Sequence, residues 1–340
     1  MKTTVNLEEV QQRELRPREQ YEEYARLLEE DGKRFLEGSR QAWLSRPCPG
    51  CGREEVAESF GKQGFAYRRC PGCHTLFISP LPAQADLERV AREGGAARFR
   101  RELFSGSLSE SRWRNIFQSQ LQWIAETVDE SPAALRRYAD YRSDGSDWLR
   151  RVEGSRCFDS ILAIAPLTPL AGGSNLTPEV VAGFDEVAEE GLDCLSLFNC
   201  LEKVHDPAGV LVEAVRCLRE NGLLFIITSA ASGFEYLLLR ELAPNLLPLD
   251  RLTLFSAETI QRLLEGLGLE VVEVSTPGLL DVEMVAHVLR ERPEVKIPFW
   301  DYFFRQRGDE RALADLQLYL QENRLSSYMR IAARKGKKHE

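Results

Sequence analysis

The chain has 340 residues, 43% hydrophobic and 29% charged, a balance that suits a soluble protein with one large α/β domain and an appendage, or two modest domains. No apolar run approaches the roughly 20 residues of a membrane span, and the N-terminus lacks the pattern of a secretory signal, so a cytoplasmic protein without membrane contact is expected. A net charge of −9, from 44 basic and 53 acidic side chains, repels polyphosphate at long range and argues against nucleic acid as a partner.

From about Asn6 to Trp43 the chain is rich in Glu, Arg, Gln and Leu, and Tyr21, Tyr24, Leu27, Leu28, Phe35 and Leu36 recur at helical spacing. This predicts an amphipathic helix whose stripe packs on the chain's next module. Pro47 opens a cysteine segment that Pro80 and Pro82 close, since neither a helix nor a central strand continues through such a pair. Helical patterns return from Asp86 to Glu130, with Trp113, Ile116, Phe117, Leu121, Trp123 and Ile124 as the apolar positions.

After Ser131 and Pro132, short apolar runs alternate with helical ones. Ser160–Pro166, Leu192–Phe198 and Leu223–Thr228 are apolar without alternation, as in strands covered on both faces. The helix Ala208–Arg219 lies between the last two, giving a right-handed parallel unit. A helix at Ala257–Leu267, a strand at Glu270–Ser275 and an edge strand at Tyr328–Arg334 complete the reading. The expected fold is a Rossmann-like, doubly wound, mostly parallel sheet. Its divisions are an N-terminal helix (1–46), a cysteine module (47–82), a helical linker (83–131) and an α/β domain (132–340) with an insert at 276–324. The aromatics of that insert, Phe299, Trp300, Tyr302, Phe303 and Phe304, are read as core with a pocket as the alternative.

Four of the eight cysteines stand as Cys48-x2-Cys51 and Cys70-x2-Cys73 with an 18-residue spacer. Two such turns present four sulfurs to one tetrahedral ion, so these residues are expected to hold a structural Zn2+ with no open coordination position. Cys157, Cys194, Cys200 and Cys217 sit in apolar stretches and read as buried, inert thiols. His74 reads as an exposed side chain.

The pattern Cys48-Pro49-Gly50-Cys51-Gly52, then Gly64 to Cys70, then Phe77-Ile78-Ser79-Pro80-Leu81-Pro82, resembles the N-terminal module of bacterial class I S-adenosylmethionine-dependent methyltransferases. Downstream, Asp193–Pro207 is similar to that family's fourth strand and following loop, and Arg219–Thr228 to the start of its fifth strand. Thr276–Val282 and Leu325–Met329 resemble signatures of one subgroup. The resemblance spans about Cys48 to Lys335. It implies a small-molecule or glycan-precursor acceptor, and cofactor contacts from Asp140, Tyr141, Ser143, Asp144, Gly145, Ala165, Phe198 and Asn199.

The cofactor motifs depart from the family. A glycine-rich turn lets the backbone approach the ligand, yet of three turn glycines only Gly145 remains, with Tyr141 and Ser143 in the other places. The acid before the turn becomes Ala139, unless a one-residue shift recruits Asp140. Ala165 stands where an acid would bind the ribose. Two histidine positions hold Lys203 and Arg251, while scaffold residues Asp193, Glu202, Pro207, Gly222 and Phe255 match. The expectation is a methyltransferase fold with impaired or lost catalysis and weak S-adenosylmethionine binding, serving with a protein partner or small-molecule acceptor. An active enzyme with a rebuilt pocket using Asp140 and Asp144, or a zinc-ribbon interaction adaptor, are the alternatives.

Overall fold

The computed structural model describes Lys2 and residues 18–37, 43–104, 117–131, 134–142, 146–167 and 178–336. Helix α1 (Arg18–Glu37) is followed by strands β1 (Glu58–Lys62), β2 (Phe65–Arg69) and β3 (Leu76–Ile78), then helices α2 (Gln84–Glu93), α3 (Gly95–Phe104) and α4 (Gln118–Asp129). Next come β4 (Arg137–Tyr141), α5 (Ser146–Ser155), β5 (Ser160–Ile164), β6 (Glu179–Val181), β7 (Leu192–Phe198), α6 (Pro207–Cys217) and β8 (Leu218–Ser229). The chain continues with α7 (Phe234–Leu239), β9 (Thr253–Leu254), α8 (Ala257–Gly266), β10 (Leu269–Ser275), α9 (Asp281–Glu291), α10 (Pro298–Tyr302), α11 (Glu310–Glu322) and β11 (Tyr328–Lys335). No helix among the described residues is long and apolar enough to cross a membrane.

The main sheet has seven strands in the order β10-β11-β8-β7-β4-β5-β6. Strands β4 to β8 pair in parallel, and β11 runs antiparallel to both its neighbours. The sequence places Tyr328–Arg334 at an edge; the structure inserts it between β8 and β10 instead. The reason is that Met329, Ile331, Ala332 and Ala333 are all fully buried, too apolar for a face left to water, so β10 takes the edge.

Successive residues of the central strands feed two opposite cores. Leu195, Leu197, Leu224 and Ile226 face Leu211, Ala214, Ile260 and Leu264 of α6 and α8. Cys194, Phe225 and Ile227 face Trp123, Ile124, Leu149 and Val152 of α4 and α5. Each such side chain contributes about 1.5–3 kcal/mol when removed from water, which is why these runs carry no polar alternation. Helix α6 starts where Pro207 fixes the first turn and Asp206 accepts a hydrogen bond from the Gly209 N–H at 2.9 Å. At the bend into β8, a Cβ on Gly222 would meet the Asp193 carbonyl at 3.0 Å, so only glycine lets the two backbones approach without a shift.

A second sheet, β1-β2-β3-β9, is antiparallel and joins the cysteine segment to the α/β region through β3 and β9. Helix α1 lies over its hairpin, with Phe35 and Phe65 ring centroids 6.4 Å apart, and Leu28 packs with Ala96 of α3 and with Leu247. The stripe on α1 therefore covers the chain's own neighbours, as its spacing predicts. The helical pattern of Asp86–Glu130 breaks at Gly94, where Asp31 of α1 accepts the Gly95 and Ala96 N–H groups that open α3. Trp113 and Ile116 lie outside the described residues. In the 276–324 insert, Trp300 packs edge-on against Phe234 at 4.8 Å, whereas Phe299 and Tyr302 are exposed. The insert aromatics thus divide between core and surface.

Candidate functional site

The four cysteines of the two C-x2-C turns come together. Their sulfurs lie within 4.8 Å of one another, with Cys48 Sγ 3.4 Å from Cys73 Sγ and Cys51 Sγ 3.5 Å from Cys70 Sγ. Four thiolates at roughly 2.3 Å from a zinc ion would stand about 3.8 Å apart, so the donor set could hold such an ion. The two turns are near copies. The Cys48 carbonyl accepts from Gly52 N–H and the Cys70 carbonyl from His74 N–H, and Gly52 (φ 72) and His74 (φ 60) both adopt the left-handed conformation that closes each turn. His74 is exposed and is not needed as a ligand.

The thiols differ in proton affinity. A hydrogen bond from Cys48 draws Cys73 down to about 4, with Thr75 helping, while that interaction and burial push Cys48 up. Behind the turns, Ser256 and Thr259 hydroxyls donate to the Cys73 carbonyl at 3.1 and 2.7 Å. Arg46 donates to the carbonyls of Ile78, His205 and Leu252 at 3.0–3.1 Å, so one side chain ties the cysteine module to two loops of the α/β domain. Cys194, Cys200 and Cys217 are buried and Cys157 half-buried.

In an open parallel sheet, ligands bind beyond the carboxyl ends of the strands. At the end of β4, Asp140 is 3% exposed and accepts a hydrogen bond from Ser196 Oγ, which also pairs with Tyr138 OH at 2.6 Å. Tyr141 stacks on Phe184 at 4.7 Å. The next residue, Arg142, has φ 60 and so holds the left-handed position that favours glycine. Ser143, Asp144 and Gly145 lie outside the described residues.

The Arg142 guanidinium is buried and meets Glu88 Oε1 of α2 at 2.6 Å. Burial would lower its proton affinity, but Glu88 raises it above the ordinary value. Ala165, at the end of β5, has φ 47, packs on the core and donates its N–H to the Val181 carbonyl. Phe198 ends β7 between Trp123 and Trp148, and Asn199 (φ 50) is exposed and donates its N–H to the Ile227 carbonyl. Helices α1, α2 and α3 lie across these strand ends. Between them and Arg142, Leu167, Lys203 and Asp250 is a cavity of ≈ 40 Å³.

Lys203 and Arg251 are neighbours through Asp250, which lies 3.1 Å from Lys203 Nζ and 3.2 Å from Arg251 Nη1. Burial alone would raise the Asp250 carboxyl, but the two cations hold it well below the usual carboxylate range. Arg251 Nη1 is also 3.7 Å from Glu202, whose other oxygen accepts from Thr228 at 2.8 Å. Sequence reasoning named Lys203, Arg251 and Glu202 but missed Asp250, whose partners are the adjacent Arg251 and the distant Lys203, and Glu88, whose partner Arg142 is 54 residues away in the chain.

A methyltransferase-domain family profile matches residues 21–274, three quarters of the chain. No curated protein matches it. Among solved structures, the chain is similar to a Haemonchus contortus phosphoethanolamine N-methyltransferase bound to phosphomonomethylethanolamine and S-adenosylhomocysteine (14% identity, 83% of this chain and 72% of that one, TM-score 0.45). It is also similar to a Burkholderia thailandensis 1,6-didemethyltoxoflavin-N1-methyltransferase (15%, 83% and 100%, 0.43). A third similarity is to the complex of the Haloferax volcanii Trm112 methyltransferase activator and a methyltransferase (13%, 70% and 98%, 0.45). On the profile match the chain belongs to the methyltransferase-domain family, and its seven-stranded sheet is Rossmann-like with β11 reversed between β8 and β10.

Proposed function

We propose that this chain is a class I methyltransferase homologue with a structural zinc ribbon and an S-adenosylmethionine site that has lost most of its affinity. The observation that carries this reading is the occupant of the strand ends. Arg142 stands at the left-handed turn position and is clamped to Glu88, so a buried guanidinium and not a glycine occupies the turn beyond β4. Ala165 offers no carboxylate for a ribose, which removes a charge-assisted hydrogen bond of about 1.5–3 kcal/mol. Arg142 and Ala165 do not fit the cofactor at these two positions, and no chemical step is assigned to it.

The ribbon fits its metal. Cys48, Cys51, Cys70 and Cys73 would hold a zinc ion in a closed shell, where it contributes folding free energy and no reaction. Calorimetric titration with S-adenosylmethionine and S-adenosylhomocysteine tests the reading. The expected dissociation constant is about millimolar, whereas one below about 100 μM would support a rebuilt, active pocket.

A further inference from the structure

Away from the strand ends, α1, the β1–β2 hairpin and α9 enclose a second cleft of ≈ 720 Å³. Its apolar lining comes from Leu242, Pro244, Met284 and Val288, and its acidic groups are Glu22, Glu241, Glu283 and Glu291. Lys62 lines it from the last position of β1, held there by the two-residue turn Gln63-Gly64, both with positive φ. Leu36 of α1 packs over this turn so closely that a Cβ on Gly64 would meet its Cδ1 at 2.3 Å. The amine is thereby fixed in the cleft wall, and its described hydrogen bond goes to the carbonyl oxygen of Ala243.

From the cleft and the placement of its amine, we propose that Lys62 is a carbonyl-capturing site that takes uncharged or cationic aldehydes and ketones. The neutral amine attacks the carbonyl carbon to give a carbinolamine. Loss of water then leaves an imine, with the carbonyl oxygen departing as that water and no change of oxidation state. Ala243 accepts an N–H from the neutral amine without requiring its charge. Burial lowers the Lys62 proton affinity to about 8, against opposing attraction from Glu235 and Glu241, so its neutral fraction near neutral pH far exceeds that of an exposed lysine. The other titratable groups of the cleft are Glu22, Glu283, Glu291, Tyr21, His287 and Arg292. Tyr21 donates to the Pro244 carbonyl at 2.9 Å. Four carboxylates against Arg292 and the Lys62 ammonium leave the cleft net negative and disfavour anionic carbonyl compounds.

The test treats the full chain with propanal, or with glyoxylate as the anionic comparator, under cyanoborohydride, and maps modified lysines by mass spectrometry. At pH 7, Lys62 should be alkylated by propanal at least about ten-fold faster than the exposed Lys33 and Lys296. Its rate should level off near pH 8 to 9 while theirs keep rising, and propanal should be preferred over glyoxylate at Lys62 more than at Lys33. The double substitution Glu241→Gln with Glu283→Gln should narrow that preference while Lys62 still reacts. A Lys62 rate no greater than that of Lys33, or a profile parallel to it, would overturn the proposal. Neither result depends on whether the methyltransferase cofactor binds.

Discussion

Lys203 and Arg251, 48 positions apart in sequence, share the carboxylate of Asp250, with Lys203 Nζ at 3.1 Å from one oxygen and Arg251 Nη1 at 3.2 Å from the other. Both stand at positions where the family resemblance implies histidine. Two cations at one buried point require a counter-charge, and Asp250 supplies it together with Glu202, so the four side chains form one ion-pair network.

This makes Asp250→Asn a sharp probe. Removing one charge of a buried cluster leaves its partners uncompensated, so a loss of about 3 kcal/mol is expected in urea denaturation at pH 7. Lys203 and Arg251 hold the folded carboxyl below the usual carboxylate range despite its burial. A depressed acid stabilises the fold above its unfolded value and loses that contribution as pH falls through the folded one. The gap between wild type and variant should therefore close as pH falls below about 4. Equal stability at pH 7 would show that the cluster contributes nothing.

Zinc binding by Cys48, Cys51, Cys70 and Cys73 predicts one equivalent per chain in reduced protein purified without added metal. Cys70→Ser should lose the ion and expose the β1–β2 hairpin to protease, because a segment this short buries too little apolar area to fold alone. The damage should spread to β9, which pairs with β3. Metal analysis near zero for the wild type would exclude the ribbon reading.

Glu88→Gln should destabilise the fold by about 2–3 kcal/mol, since the Arg142 guanidinium has a side-chain exposure of only 6% and loses its anionic partner. Hydrogen exchange checks where the effect falls. Faster exchange confined to α2 and α3 is expected, and unchanged exchange there would mean that the pair does not hold these helices over the strand ends.

Legibility in the sequence followed the range of the interaction. Leu195, Leu197, Phe225 and Ile226 announced buried parallel strands because a strand covered on both faces needs unbroken apolarity. The cysteine turns are legible because their geometry is local, although the left-handed Gly52 and His74 that close them are seen only in the structure. Tyr328–Arg334 carries the apolar pattern of a strand, but its place between β8 and β10 rather than at the edge depends on what packs outside the run. Asp250 and Glu88 gave no signal. A lone acid acquires meaning only from the cation that the fold brings to it.

Two alignments of the turn after β4 lead to different expectations for restoring cofactor affinity. If Tyr141 and Ser143 replaced the turn glycines, then Tyr141→Gly, Ser143→Gly and Ala165→Glu together should restore binding of S-adenosylhomocysteine. The left-handed backbone belongs to Arg142, however, and its side chain, not that of Tyr141, carries the ion pair to α2. Tyr141 is meanwhile engaged with Phe184, so cutting it to glycine removes packing without releasing the helices. Arg142→Gly with Ala165→Glu relieves the turn at its left-handed residue, frees the clamp and returns an acceptor at the end of β5. Gains of about ten-fold or more, measured by calorimetry, are expected for this second set and little for the first. The opposite order would return the glycine position to Tyr141. No gain from either set would mean that α1, α2 and α3 close the site by their packing and not through Arg142.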